Sequence, residues 1–359
     1  MAEMTFDDVA TPARLRVLRA GPGATIQDSG RHGYLRYGVT PAGPMDWTAF
    51  RTANLAVGND DRAAAVEVSI GGLELICEGS ALAVAFAGGG FAWRRDDARL
   101  PSAACLLLRP GDVLTAQAGN SGAWAYLAVE RGVDTPLEMG SRATHLRSAM
   151  GGIEGRMLRE GDALPAAPRF EPLSQAADDA AIDAPWLAKD AQPFRVVLGP
   201  QDDYFTAEGL ATFFREDYAL TASADRMAYR FDGPDIAHAR GHDIVSDGIA
   251  LGAIQIAGDR KPLILMADRQ PTGGYPKLGH VIRADIGRLA QMRPGETCRF
   301  AAVSVAEARF ALLALEADIA ETPSRLRPLR WPLTSERLLE TNLIDGCVDA
   351  FKDSSRPFT

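Results

Sequence analysis

Ten consecutive residues, Asp268-Arg269-Gln270-Pro271-Thr272-Gly273-Gly274-Tyr275-Pro276-Lys277, gather a carboxylate, a guanidinium, an amide, a hydroxyl, two adjacent glycines, a phenol and an ammonium. They follow the apolar run 262–267, which reads as a buried strand. Packing at the end of a core strand does not require such a mixture; binding an anionic or carbonyl substrate would. Glycines let a backbone approach a ligand closely, and Arg and Lys stabilise phosphate or a developing oxyanion. The competing reading is a tight Gly-Gly turn with solvated charges.

Further polar groups stand at other strand ends. Ser223-Ala224-Asp225-Arg226-Met227 follows the strand-like 218–221. Gln255 lies between apolar neighbours, where burial would demand partners for its amide, unless it points to solvent from an edge strand. Ser246-Asp247-Gly248 reads as a simple turn. In the first half, Arg31, Asp46, Arg51, Asn54 and Arg142 sit in comparable polar clusters, each as readable as a loop staple as a ligand contact. No GxxxxGK[ST] loop and no GxSxG elbow occur, and Gly88-Gly89-Gly90 does not spell a dinucleotide fingerprint. His238 and His242 flank Gly241 with no third ligand evident, so no metal is expected.

The elements that must position these groups are mostly short strands: 81–87, 104–108, 124–129, 250–256 and 263–267 are apolar runs bounded by Gly or Pro. Two helices carry start signals. Asp46 caps one over 47–57, and Ser304 with Glu307 forms a capping box for 305–320. Landmarks repeat in one order: Gly21-Pro22 with Gly199-Pro200, Met45 with Met227, Gly72 with Gly252, Pro110-Gly111 with Pro294-Gly295, at offsets of 178, 182, 180 and 184. Such regularity implies two copies of one fold. The expectation is a mainly β protein with a first domain over 14–168, a linker over 169–192 with a short helix at 173–181, and a second domain over 193–322. A helical tail over 323–359 would place Leu339, Leu343, Cys347 and Phe351 on one face, packed on its own domain or against a partner.

Composition narrows the class. With 359 residues, 47% hydrophobic and 24% charged, the chain can bury a large core. A net charge of −9 argues against nucleic acid or an anionic membrane as partner. No apolar run reaches the length of a spanning helix, the acidic start lacks the basic region of a signal peptide, and the four cysteines are scattered, as expected of free thiols in a reducing cytoplasm.

The segments Thr25-Ile26-Gln27-Asp28-Ser29-Gly30-Arg31-His32-Gly33, Gly43-Pro44-Met45-Asp46, Met139-Gly140-Ser141-Arg142-Ala143-Thr144, Ser246-Asp247-Gly248 and the 268–277 box, taken in order, resemble one family. It is that of the C subunit of bacterial 5-oxoprolinase, also called KipA, allophanate hydrolase subunit 2 or the biotin-dependent carboxyltransferase family. The likeness covers about 14–312; Pro271 stands where the family's box is expected to carry Thr, and the tail has no counterpart. The resemblance implies two tandem cyclophilin-like β-barrel domains, with a KipI-like protein (the B component) and a LamB/YcsF-like protein (the A component) as partners. It also implies ATP-dependent opening of 5-oxoproline to glutamate, with ATP held at a site shared with the partner. Under it, Arg226, Arg269 and Lys277 would neutralise phosphate or oxyanion, and Asp225 or Asp268 would orient a donor or accept a proton. Ser223, Gln255, Gln270, Thr272, Gly273, Gly274 and Tyr275 would contact substrate. The alternatives are carboxyl transfer from biotin carried on another protein to a urea-like or amide acceptor, and a non-catalytic regulator that binds a KipI-like kinase inhibitor.

Overall fold

The computed structural model describes residues 12–166 and 179–329. The protein is mainly β, with four α-helices among the described residues. In the first half two sheets face each other. One orders Ala163–Pro165, Arg14–Ala20, Leu73–Glu78, Val113–Gln117, Ala92–Arg95 and Ala98–Arg99; the other begins Thr25–Gln27, Ala65–Ser69, Trp124–Val129, Leu82–Gly88 and Ala104–Leu108. Leu73–Glu78 and Ala104–Leu108 alternate buried and half-buried residues, as strands with one face on a core must. Leu15, Val17, Leu75, Phe86, Leu106, Leu114 and Leu127 fill the space between the sheets. Trp124–Val129 is buried on both faces because helix α1 (Trp47–Ala56) covers its outer side, setting Phe50 edge-on to Tyr126 at 5.8 Å.

The second half is one eight-stranded sheet, ordered Thr297–Cys298, Tyr218–Ala224, Ala228–Asp232, Pro262–Leu265, Ala253–Ile256, Lys277–Val281, Phe194–Leu198 and Phe300–Ala302. Its first and last strands are separated in the chain by Arg299 alone, so the sheet must curl until its two edges meet, which makes it barrel-like. Helix α2 (Ala207–Arg215) closes it, with Phe213 stacked on Phe300 at 4.6 Å. Equivalent strands do not have equivalent neighbours: Leu73–Glu78 lies directly beside Arg14–Ala20, whereas Lys277–Val281 stands between Ala253–Ile256 and Phe194–Leu198.

The two expected helix starts are present. Asp46 accepts from the amides of Thr48 and Ala49, and helix α4 (Val305–Ala320) has both bonds of its capping box. Helix α2, capped by Thr206, and helix α3 (Arg283–Ala290), which has no side-chain cap, carry weaker sequence signals. The stretch assigned to a linker is not a bare connection. Ala180–Ile182 pairs with Ala104 and Cys105, and Leu326–Pro328, from the stretch assigned to a helical tail, pairs with Ala180–Ile182 in turn. Alternate burial of Ala180 and Ile182 against an otherwise open sheet edge explains a strand where composition suggests a spacer. The helix expected at 173–181 falls largely outside the described residues, as does the one ending at Phe351.

One apolar cluster crosses from half to half: Met45, Trp47, Ala49 and Phe50 pack with Ile286, Leu289 and Ala290 of α3. Gly287 permits that approach, since a Cβ there would stand 2.4 Å from Asp46 Oδ1 and 2.9 Å from Thr48 Oγ1. Gly287→Ala is therefore expected to lower stability by about 1–3 kcal/mol, read as a shift of the denaturant midpoint, although Ala is the better helix former.

Candidate functional site

The strand Pro262–Leu265 leads into the box, where the chain doubles back over itself. Thr272–Gly273 pairs with Asp247–Gly248, and the ribbon is extended on both sides by Ile244 N–H donating to Gly274 O (2.8 Å) and Ile249 N–H to Pro271 O (3.0 Å). Pro271, which lacks an N–H, serves here as an acceptor. Beneath the ribbon lie three side chains. Arg269 is 8% exposed; its Nε donates to Ile249 O (3.1 Å) and its Nη1 to Met266 O (3.4 Å), and among the described residues no carboxylate lies within ion-pair distance of it. Burial pulls its pKa down, opposed by the charge of neighbouring Asp268. Lys277, 2% exposed, donates from Nζ to Asp247 Oδ2 at 2.7 Å. That hydrogen bond holds the Asp247 carboxyl below its usual range, so the pair is intact at neutral pH and is lost only as acid carries the pH through the lowered value. Gln255 stands opposite Lys277 in the sheet, 0% exposed, and neither its Oε1 nor its Nε2 has a hydrogen-bond partner.

A few residues away, the other expected cation is fully committed. Arg226 donates from Nε and Nη2 to both oxygens of Asp268 (2.9 and 2.8 Å), from Nη1 to Glu67 Oε1, and from Nη2 to Gly43 O (2.7 Å). Glu67, 0% exposed on Ala65–Ser69, also accepts from Met45 N–H (2.9 Å) and Tyr126 O–H (2.7 Å), and Tyr126 in turn accepts from Asp46 N–H at 2.8 Å. A second seam runs beside it. Gln291 Nε2 donates to Asp46 Oδ2 (2.7 Å) and Trp124 O (2.8 Å), while its Oε1 accepts from Ala123 and Trp124 amides. Arg226, steadied by Asp268 on its own half and paired across to Glu67 and Gly43 O, is thus a charged clamp between the two halves, with every guanidinium nitrogen spoken for.

The remaining candidates divide as follows. Asp225 staples its own turn through Met227 and Ala228 amides and is exposed, as is Ser223. Gln270 is half-buried; Thr272 and Tyr275 are exposed, Tyr275 by 40%. In the first half, Arg31 is buried, donates to Glu138 O (2.9 Å) and Ala143 O (3.0 Å), and leaves Nη1 unpartnered. Arg51 pairs with Asp61 at 2.6 Å, Asn54 donates to Ala63 O at 3.0 Å, and Arg142 bridges Asp134 and Thr135 O at 2.6 Å each. Arg31 and Arg142 tie first-half loops together, whereas Arg51, on α1, also faces Glu316 of α4 at 3.8 Å; among the described residues none of the three is ion-paired with the 268–277 ribbon. A Cβ on Gly90 would lie 2.4 Å from Ser121 Oγ and one on Gly119 would lie 1.8 Å from Gly90 O, and Gly88, Gly89 and Gly90 line a cavity of about 490 Å³ together with Asp46, Ser121 and Gln291. Glu67, Tyr126, Gln291 and Asp247 are absent from the sequence-based set. A lone acid inside Ala-Val-Glu-Val-Ser was the available signal for Glu67, and Asp247 read as a turn residue.

The sequence model described as carboxyltransferase domain, subdomain A and B, matches residues 37–302. The chain belongs to this carboxyltransferase-domain family. It is similar to the C subunit of 5-oxoprolinase from Escherichia coli (strain K12), 34% identical over 294 residues that cover 82% of this chain and 93% of the relative. The protein of the same name from Haemophilus influenzae is 35% identical over 289 residues, covering 79% and 90%. Among solved structures, the urea amidolyase of K. lactis superposes with a TM-score of 0.78 at 29% identity, over 90% of this chain and 21% of that one.

For a carboxyltransferase-family domain, the geometry separates two sets of buried polar side chains. Arg226, Asp268 and Glu67 join the halves; Arg269, Lys277 and Gln255 keep binding capacity under a two-residue ribbon. Removing one partner of a buried ion pair strands the others, so Arg226→Ala is expected to cost about 3–5 kcal/mol of stability by urea unfolding, and Asp225→Ala, at an exposed turn, less than about 1 kcal/mol.

Proposed function

We propose that this chain works as the C component of an ATP-dependent 5-oxoprolinase, opening the 5-oxoproline lactam to glutamate together with a KipI-like protein and a LamB/YcsF-like protein. One observation carries the chemistry: Arg269 is a buried guanidinium hydrogen-bonded to carbonyls and, among the described residues, ion-paired with no carboxylate. A cation desolvated in this way gains most from an anion that arrives with the reaction. Lys277, held by a carboxylate that is itself half-exposed, can exchange Asp247 for such an anion. In this reading ATP phosphorylates the lactam oxygen at a surface shared with the KipI-like partner. ADP leaves, and Arg269 and Lys277 offset the charge on that oxygen and its phosphate; water then adds to the same carbon, phosphate departs, and the C–N bond breaks with a proton to nitrogen, leaving glutamate. The sequence carries no GxxxxGK[ST] loop, so in this reading the partner supplies the nucleotide's phosphate cradle.

The extent of similarity favours this reading over its neighbour. The chain corresponds to 93% of a stand-alone 5-oxoprolinase component, against 21% of a urea amidolyase. The family description supports the second reading, carboxyl transfer from biotin on another protein to an amide or urea-like acceptor, with the same two cations on the enolate-like biotin oxygen.

The test is glutamate release from 5-oxoproline and ATP by the full chain with both partner proteins. Arg269→Ala and Lys277→Ala are each expected to lower the rate about 100- to 1,000-fold while the complex elutes intact on size exclusion. A requirement for a biotinylated carrier would move the assignment to carboxyl transfer. Partner binding without turnover, unchanged by either substitution, would leave a non-catalytic regulator.

A further inference from the structure

Gln255 presents an anomaly that the clamp and the cations do not explain. Its carboxamide offers one acceptor and two N–H donors, is wholly buried, and has no partner for oxygen or nitrogen. Buried amides in folded proteins are almost always satisfied. One side of this group is apolar: Ile249, Ala228, Ala253 and Leu265 form a small cluster there. Above it sits Gly273, where a Cβ would lie 2.8 Å from Gln255 Nε2 and 2.6 Å from Ile249 Cδ1, so the backbone lies directly on the amide. Across the sheet stands Lys277.

We propose that the Gln255 carboxamide reads the cis H–N–C=O edge of a cyclic amide or cyclic urea, its oxygen accepting from the ligand N–H and its nitrogen donating to the ligand carbonyl. This rests on the ribbon being the substrate site. Two parallel hydrogen bonds in one plane are the arrangement in which a primary carboxamide pairs with a cis-amide, and a ring enforces the cis form. A lactam that also carries a carboxylate suits the surroundings: apolar contact with Ile249 for the ring methylenes, Gln255 for the amide edge before the reaction, and Lys277 and Arg269 for the carboxylate and, after phosphoryl transfer, for the charge at the lactam oxygen. Access comes through the cover. The ribbon Asp247–Gly248/Thr272–Gly273 is two residues long on each side and is fastened to the barrel by the Lys277–Asp247 pair, by Arg269 Nε on Ile249 O and by the buried Ile249 side chain. An anionic ligand that takes both Lys277 and Arg269 releases Asp247 and Ile249 O, and the ribbon lifts from Gln255.

The experiment compares 5-oxoproline with its lactone isostere, 5-oxotetrahydrofuran-2-carboxylate, which keeps the ring, carbonyl and carboxylate but lacks the N–H, and with imidazolidin-2-one as the cyclic-urea probe. Binding is measured by calorimetry on the full chain with its partner proteins, in wild type and in Gln255→Met, which conserves shape and removes both polar atoms. Wild type is expected to prefer the lactam over the lactone about 10- to 100-fold. Gln255→Met is expected to lose that preference while unfolding at an equal or higher denaturant concentration, because no native hydrogen bond is removed. A variant that keeps the preference, or that unfolds at clearly lower denaturant, overturns the inference. If wild type releases no glutamate yet prefers imidazolidin-2-one over the lactone through Gln255, the 5-oxoprolinase reading falls and the inference stands with a cyclic urea as ligand. Equal binding of all three probes by wild type overturns it.

Discussion

The ion pair of Arg226 with Asp268, completed by Glu67 and the Gly43 carbonyl, is the constraint on which the rest of this structure depends. It takes one guanidinium out of water and satisfies it with acceptors drawn from both halves of the chain. Buried charge of this kind adds little net stability compared with well-packed apolar residues, but it tolerates no substitute geometry. It therefore specifies how the halves dock more than it strengthens the docking. The apolar contact of α1 with α3 supplies the attraction; the clamp and Gln291 fix its register.

Because Asp268 is anchored, the residue after it is aimed. Arg269 leaves a backbone held by Asp268 N–H to Arg226 O at 2.8 Å, and its side chain hydrogen-bonds to the carbonyls of Ile249 and Met266. Adjacent residues in one motif thus play opposite parts, one spent on architecture and the next left with charge to offer. The same division separates Gly273 from Gly274. The first cannot carry a side chain without striking Gln255 and Ile249, while the second comes no nearer than 3.4 Å, to Ile244 O.

Much of the framework was legible in the sequence. The strands at 104–108 and 124–129, the Asp46 cap and the Ser304–Glu307 box all rest on local signals, and local signals survive into the fold. The 268–277 box marked a ribbon with buried cations beneath it for the same reason: no packing rule asks for that mixture of groups. What local pattern does not carry is partnership across the chain. Arg226 looks identical in sequence whether it faces a ligand or Glu67, 159 positions away. Asp247 looks like any Ser-Asp-Gly turn until Lys277 is set against it. The strand at Ala180–Ile182 is three residues of weak propensity that become β only because two other strands flank them.

That last strand has a bearing on the order in which the chain can assemble. The sheet of the first half is completed by Ala180–Ile182 and then by Leu326–Pro328, which leaves the ribosome after the whole of the second barrel. Domains of most proteins finish in the order they are made. Here the amino-terminal sheet keeps a strand edge unpaired until the carboxy-terminal barrel has been synthesised, so maturation of the first half waits upon the second, and a nascent chain paused between them displays a sticky β edge to its surroundings.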